Sequence, residues 1–254
     1  MLIDSLAQKS RLKNVNPALK FCTCLALVII AVTSKNVYTG IFLMITMLIL
    51  ALFAGGLRLS QYTRILSAPL MFLLIAGLAL LFDVSSEPTG ILNVNIFGFW
   101  LCITDNTKIQ TSLVISRTLG AVSCLLLLGL TTPMPDIIGV LRRFRCPDIL
   151  IDLMYLIYRY IFILSSLHYQ MNAAVKSRLG FMDYRTSLRS SGSIYSKLLA
   201  RSFQIGSKNF DAMESRCYDT GIRFLEHPKS LTGTQLSVSV LFILASLCIG
   251  LLAP

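Results

Sequence analysis

Two short phrases carry the residues with a chemical use. They are Ser177-Arg178-Leu179 and Ser215-Arg216-Cys217, each in a charged stretch of an otherwise greasy chain. An arginine offers a planar fork of five donors that matches a carboxylate bidentately, so its chemistry is recognition rather than bond-making. Residues for catalysis are not assembled. The seven cysteines are scattered with no CxxC spacing, and the two histidines, His168 and His227, lie far apart, so no metal-ligand set is expected. The CxC of Cys22 and Cys24 would point to different faces of a helix, and Cys22, Cys24, Cys124 and Cys248 read as small apolar filler. No GxxxxGK[ST] phosphate loop, HExxH or GxSxG occurs, so neither a nucleotide-hydrolysing nor a protease-like or hydrolase centre is expected. Three further charges stand out inside apolar stretches: Arg117, Asp152 and Arg159. Each is a structural or functional candidate, because an ionisable residue in a hydrophobic run is costly to keep.

The elements that must position these residues follow from composition. Of 254 residues 55% are hydrophobic and 14% charged, and the mean hydropathy is +0.72. A soluble domain would be about one quarter charged. Apolar runs approach the roughly 20 residues that cross a bilayer as a helix. The fold class is therefore an all-α integral membrane protein. Five spans are expected, at 18–33, 38–54, 65–82, 109–130 and 236–252. A cytoplasmic helical domain is inserted before the last of them. The organisation is 1–132, an N-terminal arm and four spans; 133–230, the cytoplasmic helical domain; and 231–254, the final span. The arm MLIDSLAQKSRLKNVNP is too polar for a cleavable signal and is expected in the cytoplasm. The stretch Ile91 to Cys102 is read as a small external hairpin from its β-branched and aromatic content.

The net charge of +11 comes from 23 Lys and Arg against 12 Asp and Glu. The cations lie in loops and amphipathic helices beside the apolar runs, which favours positive-inside topology over nucleic-acid binding. Signing the loops places the N-terminus in the cytoplasm and the Asp83–Asp105 loop outside, with Lys35 the exception. The segment from Pro147 to Lys176 is greasy enough to mimic a span. It carries Asp152 and Arg159, each costing about 2.5–3.5 kcal/mol at a helix centre. Crossing there would also export a strongly basic region, so it is assigned to the cytoplasmic helical domain.

Three helices are expected in that domain: 135–144, 148–179 with Gly180 at the C-terminal cap, and 193–218. On the third, Tyr195, Leu199, Phe203, Gly206, Phe210, Met213 and Cys217 recur every three or four residues as one apolar stripe, expected to pack inward. Arg178 and Arg216 fall in the last turns of their helices. There a cation complements the helix dipole, and an exposed guanidinium can equally dock on a partner's carboxylate; both readings stand on physics alone. Asp152 and Arg159, seven residues apart, are expected on one face, anchoring their helix. Asp211, Glu214 and Asp219 are expected as solvated charges or as groups orienting Arg216.

The phrases SRLKNVNPALK, TTPMPDIIGVLRRFRCPDILIDLMYLIYRYIFIL, KSRLGF and AMESRCYDTG occur in this order, and the chain resembles, over nearly its whole length, the transmembrane T component of energy-coupling-factor (ECF) transporters in the cobalt-type CbiQ branch. The resemblance implies a non-catalytic permease subunit of an ABC-type importer in the cell membrane, multi-pass, supplying cobalt for cobalamin biosynthesis. It implies two cytoplasmic ATP-binding-cassette ATPases that carry ATP and Mg, and a membrane S component that carries cobalt or nickel. No cofactor is expected on this chain itself, and its partners are those subunits and the lipid bilayer, not nucleic acid. Ser177, Arg178 and Leu179, with Ser215, Arg216 and Cys217, then become the ATPase-coupling motifs. Apolar helix faces, including Met154 and Met171, would offer the S component a sliding surface. The same role in nickel or vitamin import is the alternative. A stand-alone secondary transporter fits less well, because no inverted repeat is visible. The second motif departs from the family pattern: Cys217 stands where Gly is usual, and is expected either to stay helical or to be strained.

Overall fold

The computed structural model describes residues 6–8, 10, 12, 15–56, 58–85, 92–96, 99–103, 105–218, 229 and 232–252, and of 83–85, 92–96, 99–103, 105 and 251–252 the backbone alone. Helices dominate. In chain order they are α1 (Pro17–Thr33), α2 (Val37–Phe53), α3 (Leu59–Leu81), α4 (Asp105–Thr131), α5 (Met134–Arg143), α6 (Asp148–Ser177), α7 (Tyr184–Glu214) and α8 (Gly233–Leu252). Between α3 and α4 lie β1 (Asp83–Ser85), β2 (Leu92–Ile96) and β3 (Phe99–Ile103), antiparallel in the order β1-β3-β2. The hairpin read from the sequence is the β2–β3 pair, with Ile96 opposite Phe99, and β1 adds a third strand to it.

The chain divides into two compact units, Met1–Ile137 with Pro228–Pro254, and Ile138–His227. The division falls at 137/138 and 227/228, against the 132/133 and 230/231 boundaries expected.

Four helices are long and apolar enough to cross a membrane by length and composition: Leu59–Leu81, Asn106–Thr131, Asp148–Ser177 and Gly233–Gly250. This makes a multi-pass membrane protein. The set differs from the expected spans at two places. α1 and α2 have 17 residues each, about 25 Å at 1.5 Å per residue, short of a hydrocarbon core of about 30 Å. α6, expected in the coupling domain, meets the length and composition requirement, so only its charges and the basic region after it argue against a crossing. α3 begins earlier than expected, at Leu59, so Arg64 lies on the helix rather than in the preceding loop.

The first unit is held by small residues and buried apolar side chains. Cys24, Leu27 and Ala31 of α1 meet Leu43 and Met47 of α2 and Cys124 of α4 in one cluster. Ala51, Tyr62, Leu66 and Leu130 form a second. Of the four cysteines read as filler, Cys24 and Cys124 are buried, and the Cys24 thiol donates to the Cys124 carbonyl at 3.3 Å. Cys22 and Cys248 are exposed on their helices and fill no core, because they fall on outward positions. α2 and α4 approach most closely at Gly40 and Gly120. A Cβ on Gly40 would overlap the carbonyl oxygen of Ser116, and one on Gly120 would come within 3.0 Å of the Gly40 Cα. Lipid tails offer helices no hydrophobic drive to associate, so such close backbone contact supplies the packing.

Polar groups gather at the two ends of this unit. At one end the side-chain oxygen of buried Asn16 accepts from the Ala18 N–H at 3.0 Å and so caps α1, whose first residue is Pro17. Its amide donates to the Lys229 carbonyl at 2.8 Å. The Lys229 ammonium meets the Asp136 carboxylate at 2.5 Å, and Lys20 donates to the carbonyls of Leu12 and Thr131. At the other end Ser34, Asn36, Thr39, Ser116 and Arg117 tie the α1–α2 turn to α4. Ser34 donates to Thr39 at 2.9 Å, Ser116 donates to the Val37 carbonyl, and Asn36 donates to the Gly250 carbonyl of α8 at 3.0 Å.

Replacing Gly40 by Ala should force α2 and α4 apart and destabilise the protein by about 1–3 kcal/mol, the usual cost of overpacking. Gly129 on α4 has open space for a Cβ, so Gly129→Ala should leave the packing intact and raise stability by about 0.4–1 kcal/mol through the lower chain entropy of Ala. Thermal unfolding of the two variants in one detergent checks the difference.

Candidate functional site

The second unit is built on α6 and α7, joined by the short turn 178–183 and tied by three side-chain pairs. Tyr218 donates its hydroxyl to the buried Asp152 carboxylate at 3.0 Å. Asn209 donates to the Tyr160 hydroxyl at 2.7 Å. The rings of His168 and Tyr195 stack with centroids 5.7 Å apart and planes 24° apart. Along α6 the partners fall at 152, 160 and 168, and they meet, in descending order, 218 just past the end of α7 and 209 and 195 on it, as an antiparallel pair requires. None of these pairs was singled out from the sequence, because cross-helix partners have no spacing signature.

The two Ser-Arg phrases fold alike. At the end of α6 the Ser177 hydroxyl donates to the Ala174 carbonyl at 2.9 Å. Arg178 is the last residue of the turn, Leu179 takes a left-handed φ of 59°, and the Gly180 N–H returns to the Val175 carbonyl at 3.0 Å. At the end of α7 the Ser215 hydroxyl donates to the Ala212 carbonyl at 3.1 Å. Arg216 precedes Cys217, also at φ 59°, and the Tyr218 N–H returns to the Met213 carbonyl at 3.1 Å. AVKSRLG and AMESRCY thus close alike position for position, and the repeated Ser-Arg phrase was the signal in the sequence. This reversed cap satisfies carbonyls that a helix end would otherwise leave without partners. Ser177, Arg178, Leu179, Ser215, Arg216 and Cys217 are all exposed.

Three expectations need correction. The left-handed residue closing α6 is Leu179, and Gly180 comes one position later. Gly180 is demanded by space, since a Cβ there would strike the Val175 side chain and lie 3.0 Å from the Ser190 hydroxyl oxygen. Cys217 does not stay helical; it is the strained alternative, in a region costing a side-chain-bearing residue about 1–2 kcal/mol. The apolar stripe of α7 does not pack inward. Tyr195, Leu199, Phe203 and Phe210 are exposed, and the helix turns Ile194, Leu198, Ser202, Ile205 and Asn209 toward the interior instead. The sequence shows an apolar arc wider than one neighbour can cover, and cannot say which part is covered.

The remaining charges separate. Asp152 is buried under Tyr218, whereas Arg159 is exposed, so the pair does not act as one anchor. Arg117 is half-buried, and its Nε donates to the Ser34 carbonyl at 2.6 Å. It thereby caps the open end of α1, level with a turn rather than deep in the bundle. Asp211 and Glu214 are exposed; Asp219 lies outside the described residues. A third helix end, missed in the sequence, repeats the cap. Arg145 has φ 59° and the Cys146 N–H returns to the Leu141 carbonyl at 3.3 Å, closing α5.

Exchanging Cys217 for Gly should remove the left-handed strain and raise stability by about 0.5–1 kcal/mol after the larger chain entropy of Gly is counted. Gly180→Ala should lower it. Unfolding of the two purified variants checks the opposite signs.

The chain is 33% identical over 227 residues to an uncharacterized protein of Methanocaldococcus jannaschii, covering 89% of this chain and 83% of that one. It is 33% identical over 251 residues to a protein of Methanocorpusculum labreanum named for a fusion, cobalt transport protein CbiMQ, covering 99% of this chain and 42% of that one. It is 30% identical over 206 residues to the cobalt transport protein CbiQ of Salmonella typhimurium, covering 78% of this chain and 90% of that one. Residues 8–227, which include both Ser-Arg helix ends and four of the helices α1 to α4 before them, match the family CbiQ, cobalt transport protein, and the chain belongs to that family.

Proposed function

We propose that this chain is the energy-coupling T component of an ECF-type importer for cobalt. In this reading it lies in the cell membrane with its N-terminus in the cytoplasm. Two cytoplasmic ATPases bind and hydrolyse ATP with Mg, and a membrane S component carries cobalt; the chain itself has no catalytic step. The observation that carries the reading is the repeated helix end. Arg178 and Arg216 stand at equivalent positions of two antiparallel helices, on caps of the same geometry, with exposed guanidinium forks. A single helix-end arginine would be explained by the helix dipole. Two in the same reversed turn suit two copies of one carboxylate-lined groove, one on each ATPase.

The rungs between α6 and α7 support a lever. Movement of an ATPase against Arg178 or Arg216 is passed on only if the helix behind it resists bending, and cross-helix bonds at Asp152, Tyr160 and His168 stiffen the pair along its length. The name of the fused relative joins a CbiM part to a CbiQ part. This supports a separate membrane partner of that kind for the present chain. Cobalt follows from the family name, and nickel is the alternative.

Arg178→Glu with Arg216→Glu should abolish co-purification of the ATPases from native membranes and stop cobalt uptake, while the protein still inserts. Loss of one charged partner at an interface costs about 2–5 kcal/mol, so each single variant should weaken capture by roughly 30-fold or more. Full ATPase recovery with the double variant would overturn the coupling reading. Uptake of labelled nickel in preference to cobalt would change the substrate and leave the coupling intact.

A further inference from the structure

The chain passes from the first unit to the second between Ile137 and Ile138 and returns between His227 and Pro228. On the first-unit side of these crossings stand Asp136, in the first turn of α5, and Lys229. They are 93 residues apart in sequence, yet the ammonium and the carboxylate meet at 2.5 Å, with the Lys229 side chain 18% and the Asp136 side chain 27% exposed. The dipole of α5 accounts for an acid in its first turn, but not for a lysine from the other crossing set against it. Both sides are also tied to the start of α1. The Lys229 carbonyl accepts from the Asn16 amide at 2.8 Å, while the Asn16 side-chain oxygen caps α1 at the Ala18 N–H. Four residues on, Lys20 donates to the carbonyl of Thr131, the last residue of α4, at 3.4 Å, and to that of Leu12. Asn16 is 2% exposed, so its amide has no water to fall back on.

We propose that Asp136, Lys229, Asn16 and Lys20 are positioning residues for transport, a brace that makes the two crossings move as one and delivers movement of the 138–227 unit to α1 and α4 together. The role rests on the coupling reading, since without ATPases there is no movement to deliver. Without the pair, a displacement of the second unit is absorbed at either crossing: α5 swings on the residues after α4, or the returning chain swings before α8. With it, the two crossings keep one separation, and Asn16 and Lys20 hold the joined end against α1. α1 then carries the load into the packed core, where Cys24, Leu27 and Ala31 meet Leu43 and Met47 of α2 and Cys124 of α4. Coupling carried through packed helices and polar contacts is sensitive to such links, and single changes along them alter it by about 2- to 30-fold. The pair suits this use because its side chains are mostly covered. Salt screens partly buried pairs much less than exposed ones, and removing one partner leaves the other charge unmatched.

The test compares cobalt uptake with ATP hydrolysis in the complex purified from native membranes and reconstituted in vesicles. Asp136→Asn and Lys229→Met should leave ATPase co-purification and the KM for cobalt unchanged, and should lower the cobalt moved per ATP hydrolysed by about 2- to 30-fold. The exchange Asp136→Lys with Lys229→Asp restores the pair with its charges reversed and should recover most of that loss. Asn16→Ser keeps a capping oxygen but lacks the amide that reaches the Lys229 carbonyl, and it should lower the same ratio. The ratio does not depend on how much protein folds. A pair that serves stability alone would therefore lower uptake and hydrolysis in proportion, and that result would overturn the proposal. An unchanged ratio in both single variants would overturn it as well. So would loss of the ATPases from either variant, which would make the pair an assembly contact. Wild-type protein that captures no ATPase would instead strike the coupling reading, and this role with it.

Discussion

A charge or an unpaired peptide group inside hydrocarbon is heavily penalised, and this one cost arranges the chain. Backbone groups can be satisfied there only within helices, and charged side chains must sit at helix ends, in turns or against partners. The first unit obeys this at both ends. Asp136, Lys229, Lys20 and Asn16 collect at one, and Arg117 collects with Ser34, Asn36, Thr39 and Ser116 at the other. Between them the contacts are made by apolar and small residues, with Gly40 against Gly120 and Ser116 where α2 and α4 come closest. The Asp136–Lys229 pair does more than neutralise itself. The chain leaves the first unit just after Asp136 and re-enters just before Lys229, so the pair joins the two places where that unit is interrupted.

The same cost explains what the helix ends look like in the second unit. A C-terminal turn leaves carbonyls without donors. Folding the next residue into the left-handed region lets its own N–H and the one after it return to them, and α5, α6 and α7 all close in this way. Glycine is the usual choice because it has no Cβ, yet Arg145, Leu179 and Cys217 occupy the position here. Strain of this kind persists only where the surroundings fix the backbone. At Leu179 the fixing element is visible: Gly180 is pressed against Val175 and Ser190, and its N–H completes the return bond. At Cys217 it is Tyr218, which returns its N–H to Met213 and sends its hydroxyl to Asp152 on the other helix.

Most of the helical frame could be read from hydropathy, because apolar runs, a start at Pro17 and stops at Gly55-Gly56 and Pro133 are local information. The Ser-Arg phrases were legible for the same reason: a recurring Ser-Arg in the last turn of a helix is written in consecutive residues. What failed was whatever depends on a partner distant in sequence. The stripe on α7 is apolar whether it faces α6 or the outside, and only the packing of Ile194 and Leu198 shows which arc is covered. Arg117 looked deep because it lies in the middle of an apolar run, but α4 outlasts the helices beside it and places Arg117 at the α1–α2 turn. Gly180 drew attention as the obvious cap, since glycine usually marks the left-handed residue. Its service here is to leave room for Val175, a requirement that arises only in three dimensions.

The strained caps bear on why the arginines recur where they do. An arginine on a frayed helix end explores many directions, and fixing it on binding consumes much of what its hydrogen bonds provide. A cap closed by a return bond removes most of that backbone freedom beforehand. The serine hydroxyls of Ser177 and Ser215 each bond a carbonyl three residues earlier, which holds the last turn on the helical side of the arginine. The left-handed residue then turns the chain away on the other side, and both arginines are exposed. Helix dipole alone would place a cation anywhere in the last turn, and Lys176 already supplies one on α6. Serine before, a reversed residue after, and arginine between them in both helices is a stronger specification than the dipole needs, and it suits the directional contact proposed for the two arginines.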